Sequence, residues 1–505
     1  MQRSQRIVAW LVFIFFLAVY LLCVGEGVYS TDGETMLRAT WSIVDRHQLA
    51  IPCSSRLPNA VPGLDGRCYS RYGLGQPLAA IPLYLLAKGV KALLPSVDYV
   101  ALIFLFVPRL GQIITALTCA LLFSYASRLY RSTRLGVGLA LAYGLGTMAW
   151  PYAKYYFNAP LVTLCLLGAA YLLFVFREQG SPARLALAGS CLGYAFLTNL
   201  SSLATLPFFL AYALRAGLPL RRVRSAISKA ASKRWVSRIC PPPTDSPMAG
   251  CRISSWSQWL IFLAPAVFLL GVSLAYNLYA FGNLLAGGYG EETWSTPLYV
   301  GLYGLLLSSG KSLFLYVPLT IVVPLALVVF YRTGRQAETF LFAALFVVHL
   351  LLHAGWWSWY GGWSWGPRFL VPALPFLILP LGAMWPGGIA RQIGLIALAI
   401  VSVWVQFLGV AVDFNHYMLM INDLVKLLFI PEFSPLVGHL QLLLDGELDL
   451  SAGDLLALGV PQFVVHLFHA LCFVLAIGAG VALGRAATRR QEESSDNEHR
   501  YEQRA

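Results

Sequence analysis

Four short stretches of this 505-residue chain hold side chains able to do chemistry. The first is Ser30-Thr31-Asp32-Gly33-Glu34, with two carboxylates at i and i+2. A carboxylate in partial burial serves as a general base. The same residues also read as a helix start, with Thr31 or Asp32 capping a helix that begins near Glu34. The two readings are compatible. The second stretch, Asp65 to Pro77, mixes Arg67 and Arg71 with Tyr69, Tyr72 and three glycines. Arginine binds phosphate through a planar fork, but the glycine spacing is not that of a nucleotide-binding loop. The third runs Gly301-Leu302-Tyr303-Gly304 and then Ser308 to Ser312. Its Gly310-Lys311-Ser312 matches only part of a nucleotide motif, since position 305 is leucine where glycine is required. Lys311 is either a lysine reaching to the membrane interface or a phosphate contact. The fourth, Trp356 to Arg368, packs five of the fourteen tryptophans into ten residues. Tryptophans belt membrane interfaces. Flat rings such as Trp363 and Trp365 also pack on sugar faces, and Arg368 can hold an anion.

The elements that position these residues follow from composition. Hydrophobic residues make up 58% of the chain and charged residues 12%, against roughly 25% charged in soluble proteins. That excludes a soluble enzyme, and the 13% aromatic content excludes a disordered chain. The fold class expected is an all-α polytopic membrane protein. Twelve spans are expected at 7–27, 99–124, 135–151, 160–176, 185–199, 200–214, 258–280, 312–331, 339–355, 369–385, 392–411 and 462–484. Both termini are then cytoplasmic. The first apolar segment, about 20 residues long, has no clear small-residue cleavage site and is expected to stay as a helix. In this arrangement 24 of the 36 Lys and Arg fall inside, and 15 of the 23 acidic residues fall outside. This agrees with the retention of basic residues on the cytoplasmic side. Residues 77–97 are apolar too, but a crossing there would turn the basic 215–257 loop outward. They are expected to lie on the outer surface as an amphipathic helix.

One membrane domain, 1–485, therefore carries a first outer loop (28–98), a basic cytoplasmic loop (215–257) and a second outer loop (412–461). A charged tail, 486–505, is expected to be disordered. Cys53 and Cys68 share the first outer loop, where an oxidising compartment permits a disulfide; pairing and free thiols both stay open. Cys240 and Cys251 lack metal-binding spacing.

The outer face thus collects carboxylates, cations and aromatic rings, which suits chemistry on an amphiphilic anion at the outer leaflet. Transport would favour ionisable groups at mid-membrane. Asn199, His349 and Gln406 are the main polar candidates there.

These residues resemble the GT-C superfamily of lipid-carrier-dependent glycosyltransferases, which includes protein O-mannosyltransferases and the bacterial aminoarabinose transferase. The resemblance covers nearly the whole chain. It rests on Asp32-Gly33-Glu34 after the first span, the surface helix before Val107-Pro108-Arg109-Leu110, and three blocks: Tyr69 to Gln76, Gly301 to Leu306 and Trp363 to Arg368. It implies inverting transfer of a sugar from a polyprenyl-phosphate donor to a hydroxyl on a glycan, lipid or protein, outside a bacterial inner membrane. Asp32 matches the position of the base, with Glu34 as its helper. Arg368 and Lys311 are expected at the carrier phosphate, with Arg71 and Lys88 in second rank and Tyr72, Trp363 and Trp365 beside the substrate. No nucleic acid is expected, and no cofactor. Relatives often carry an acidic residue after the third span; this chain has Phe157-Asn158-Ala159-Pro160, which gives no support to a metal site. The alternatives are a transferase that joins polymers on the same carrier, a transporter of lipid-linked saccharides, or a relative that binds the carrier without catalysis.

Overall fold

The computed structural model describes residues 3–25, 27–215, 253, 255–285, 287–290, 292–449 and 462–502. Most of the basic 215–257 loop, with Cys240 and Cys251, and residues 450–461 of the second outer loop lie outside the described residues.

All twelve expected spans are helical. Seven helices are long and apolar enough to cross a membrane: Ser4–Leu22, Tyr99–Tyr130, Ala159–Gln179, Trp256–Phe281, Gln336–Ala354, Ile389–Ala411 and Gln462–Thr488. The other five are shorter or broken. Thr133–Gly146 and Pro182–Thr198 are short helices. Leu200–Leu214, Pro318–Arg332 and Arg368–Met384 are apolar segments. All three begin as 3-10 turns, at Leu200, Pro318 and Arg368; in the last two, prolines at 318, 324, 367, 372 and 375 interrupt the α-helical ladder. The backbone of the last helix, Gln462–Glu502, runs on into the charged tail. No glycine or proline follows Gly484 in that run, and its Arg, Ala, Gln and Glu residues are strong helix formers.

The 28–98 loop is built rather than loose. Helix α1 (Arg3–Leu22) is followed by α2 (Thr31–Arg46). The cap of α2 is Ser30, whose hydroxyl accepts from the Gly33 amide at 3.0 Å. Asp32 and Glu34 then lie in the first turn, where the helix dipole favours negative charge. The expected cap at Thr31 or Asp32 is thus corrected, and the Asp32 carboxylate is left free to face other partners. After α2 come three strands, β1 (Ala50–Ile51), β2 (Ala60–Pro62) and β3 (Cys68–Ser70), in the antiparallel order β1-β3-β2. A Cys53–Cys68 disulfide staples this sheet.

Helix α3 (Gly75–Leu93) occupies the stretch expected on the membrane surface, and it is not among the seven long apolar helices. Gln76, Ala80, Tyr84 and Ala87 form its buried stripe, at the spacing of one helix face. Asp45 near the end of α2 anchors it, accepting from Tyr84 Oη at 2.5 Å, Lys88 Nζ at 2.9 Å and Tyr99 Oη at 2.9 Å.

Candidate active site

The site forms where the start of α2 meets the aromatic run. Arg368 Nη1 donates to Asp32 Oδ2 at 2.7 Å, with less than a fifth of either side chain exposed. Asn59, in the loop before β2, donates through Nδ2 to Asp32 Oδ1 at 3.0 Å and to Thr31 Oγ1 at 3.1 Å. Both carboxylate oxygens are therefore held. Each oxygen can accept about twice, so the carboxylate keeps room for a proton. The Arg368 guanidinium lies 5.0 Å from the Phe157 ring and 5.2 Å from the Phe369 ring. Phe369 in turn stacks on His353 at 4.4 Å. Burial works against the Arg368 charge, but the Asp32 carboxylate outweighs it and raises the guanidinium above its ordinary value. Gly361 makes this approach possible: its φ is +74°, and a Cβ there would meet Arg368 Cγ at 2.9 Å.

A second cation stands beside the first. Arg71 Nη2 pairs with Glu292 Oε1 at 2.7 Å and sits 4.2 Å over the Tyr289 ring. Glu292 also accepts from Trp357 Nε1 at 2.9 Å, which ties this loop to the aromatic run. Burial raises the Tyr289 phenol, and it feels the charges of Arg71, Asp32 and Arg368. The Tyr289 ring is thus within electrostatic reach of both ion pairs. Tyr72 is pushed well above its usual value by burial and then by Asp32, so it stays a protonated donor beside that carboxylate.

Four expected residues are placed differently. Glu34 is about 200° around the helix from Asp32, and it pairs with Arg38 at 3.0 Å. Asn59 and Arg368, not Glu34, orient the carboxylate. Lys88 pairs with Asp45, which is thirteen residues, or about 20 Å, along α2 from Asp32. Lys311 joins the region but is buried, and donates to Gly362 O at 3.2 Å, Ser364 O at 2.6 Å and Ser364 Oγ at 3.0 Å. Burial and the Arg368 charge push its amine well below the ordinary value. It is a staple of the aromatic loop, not an available phosphate contact. Trp365 is fully buried, 5.0 Å from the Tyr316 ring and 4.5 Å from His439. It is core, whereas Trp363 remains 39% exposed and able to meet a ligand.

Sequence reasoning missed Asn59, Tyr289 and Glu292, which stand alone in loops without a pattern. It also missed Lys154, whose buried amine pairs with Asp449 at 2.7 Å and pins the second outer loop beside Tyr29. Phe157, in the Phe157-Asn158-Ala159-Pro160 stretch, supplies a ring to Arg368. Among the described residues no three His, Cys, Asp or Glu side chains gather as a metal cage.

No family model matches the chain, and no curated protein does. Among solved structures, ArnT from Cupriavidus metallidurans in the apo state aligns over 96% of this chain and 79% of its own, at 14% identity and TM-score 0.46. The same protein bound to undecaprenyl phosphate aligns over 97% and 78%, at 14% identity and TM-score 0.43. The archaeal oligosaccharyltransferase AglB from Archaeoglobus fulgidus, with an inhibitory peptide and a dolichol-phosphate, aligns over 82% of this chain at 11% identity and TM-score 0.48. This chain spans 56% of that protein's length. At this level the likeness is one of arrangement, and function has to be read from the site's own residues.

Proposed function

We propose that the chain is a membrane glycosyltransferase that moves a sugar from a polyprenyl-phosphate carrier to a hydroxyl group on the extracytoplasmic side. The observation that carries this reading is the shielded Asp32–Arg368 pair, 2.7 Å apart, directly after the first membrane helix. It joins a base to a phosphate-binding cation at one point. Asp32 takes the proton of the acceptor hydroxyl. That oxygen attacks the anomeric carbon as the carbon–oxygen bond to the carrier breaks, and polyprenyl phosphate leaves with the electron pair. A single displacement needs one base and inverts the anomeric centre. Asp32 uses one of the five N–H groups of Arg368 in this pair. The others, with Arg71, are suited to meet the charge that grows on the phosphate. Phosphate leaves readily at neutral pH, so no acid is required, in keeping with Glu34 being tied to Arg38.

The test is incubation of the purified protein with a panel of polyprenyl-phosphate sugars, with mass spectrometry of the released carrier. General base catalysis typically contributes about 10²–10⁴-fold. Asp32→Asn is expected to lose turnover on that scale while still binding polyprenyl phosphate. A near-normal rate in Asp32→Asn, or a product of retained anomeric configuration, refutes the mechanism. Movement of an intact lipid-linked saccharide across vesicles, with no bond broken, would assign the protein to transport.

A further inference from the structure

We propose that Asn59 is a positioning residue for Asp32, and that the Cys53–Cys68 disulfide holds it in place, so that full activity depends on an oxidising environment. The inference rests on the reading of Asp32 as the base.

Asn59 is buried, with 8% of its surface exposed. Its Nδ2 places one hydrogen on Asp32 Oδ1 and the other on Thr31 Oγ1. The opposite amide orientation would turn an oxygen toward a carboxylate, so the donor role follows from the chemistry. Without it, Asp32 Oδ1 loses its Asn59 donor and the tie through Oδ2 to Arg368 remains, with Tyr72 beside the carboxylate. A carboxylate tethered at one oxygen can swing; one tethered at both presents its remaining lone pairs in a fixed direction. The Asn59 backbone serves the site as well. Its carbonyl accepts from the Arg71 amide at 3.1 Å, so one residue sets the relation of the base to the second cation.

Asn59 cannot hold this place by helix or strand propensity. It lies in the loop ahead of the three-residue strand β2. The strand pairs Ala60 with Ser70 and Pro62 with Cys68, and β1 pairs Ile51 with Cys68. A sheet this small is marginal by itself. Cys53 and Cys68, 15 residues apart, close the covalent loop that contains Asn59. Cys53 is exposed, so a soluble reductant can reach the bridge. Dithiothreitol would convert it to two thiols and itself to the cyclic disulfide. The loop would then be free to draw Asn59 away from Asp32.

Two readouts on the full chain separate this inference from the proposed function. The first is carbodiimide labelling of Asp32, located by mass spectrometry, which reports how firmly the carboxylate is held whatever reaction it serves. Loss of one charge-assisted hydrogen bond is worth roughly tenfold. Labelling should rise about that much in Asn59→Ala and in the reduced wild type, and reduction should add nothing further in Asn59→Ala. The second readout is turnover of the polyprenyl-phosphate sugar that the panel identifies. There kcat should fall roughly tenfold in the same two samples with donor KM little changed. Asn59→Asp keeps the size but not the donor and should be at least as slow as Asn59→Ala, whereas Asn59→Gln, which keeps the amide, should recover part of the rate. If Asn59→Ala does not fold, the reduced wild type supplies the same comparison, with Cys53→Ser/Cys68→Ser as the reductant-insensitive control. Unchanged Asp32 labelling in both samples overturns the inference, as does an Asn59→Asp variant with wild-type kcat. The expected labelling pattern in a protein that transfers no sugar overturns the function and leaves the positioning role standing.

Discussion

Arg368 is the residue on which the phosphate site depends most. It contributes a charge to Asp32 and a flat face between Phe157 and Phe369. A charge-assisted hydrogen bond is worth about 1.5–3 kcal/mol. Arg368→Ala should therefore weaken polyprenyl-phosphate binding by roughly tenfold to a hundredfold. Arg368→Lys keeps the charge but loses the fork and the flat face, and should fall between the two. Titration of the purified variants with polyprenyl phosphate checks both; unchanged affinity in Arg368→Ala removes it from the role. Asp32 and Arg368 were legible in the sequence because each belongs to a dense run of unusual residues at an expected span boundary. Their mutual contact, across 336 positions, was not. Asn59 gave no signal, since its value lies wholly in what folding brings beside it. Glu34 was misjudged because the helix starts at Thr31 and not near Glu34, so Asp32 and Glu34 both lie in its first turn and point apart. Trp365 and Lys311 were misjudged for a different reason: in the irregular loop, Trp365 turns inward while Trp363, two residues away, stays partly exposed.

Elements are held to the site by small polar latches, and one of them gives α3 a pH dependence. Burial alone would raise the Asp45 carboxyl, but donors from Tyr84, Lys88 and Tyr99 hold it below its ordinary value of 3.8. A carboxylate whose folded value is depressed stabilises the folded state above its unfolded value and loses that contribution as pH falls through the folded one. The stability gap between wild type and Asp45→Asn should thus be full from pH 5 to 7 and should narrow below about pH 4. Thermal unfolding of the two proteins across that range measures it. A gap independent of pH would show that Asp45 acts by shape and not by charge. That residues 77–97 are helical was legible, because the apolar stretch carries Lys88 and Lys91 three residues apart, in the pattern of an amphipathic helix. The cap was placed one or two residues too late, at Thr31 or Asp32, because Ser, Thr and Asp side chains can all cap and the run Ser30-Thr31-Asp32 holds one of each.

At the scale of the whole molecule, residues assigned to one side from charge alone meet one another and not those of the other side. Arg128 pairs with Glu178 at 3.0 Å, Arg177 with Glu338 at 2.8 Å, and Arg335 donates to Leu129 O at 3.1 Å. All five of those charged side chains were assigned to the cytoplasm. Asp32, Asn59, Arg71, Glu292, Trp357 and Arg368, all assigned outside, meet at the site. Such sorting is what the expected order of crossings calls for, and the parity of those crossings turns on α3. Were α3 to cross, the basic cluster would turn outward as a unit, and Glu292, Trp357 and Arg368 would fall on the side opposite Asp32, Asn59 and Arg71, so the Asp32 cluster could not stay whole. Single cysteines at Ala92, an exposed position on α3, and at Arg134, an exposed position after the Arg128 turn, test this. The native free cysteines among the described residues are buried or half-buried, and with Cys240 and Cys251 replaced by serine background labelling should be low. In intact cells a membrane-impermeant maleimide should label position 92, and position 134 only after the membrane is opened. Labelling of position 134 from outside would overturn the twelve-span arrangement, and with it the placement of Asp32 on the side where a lipid-linked sugar is presented.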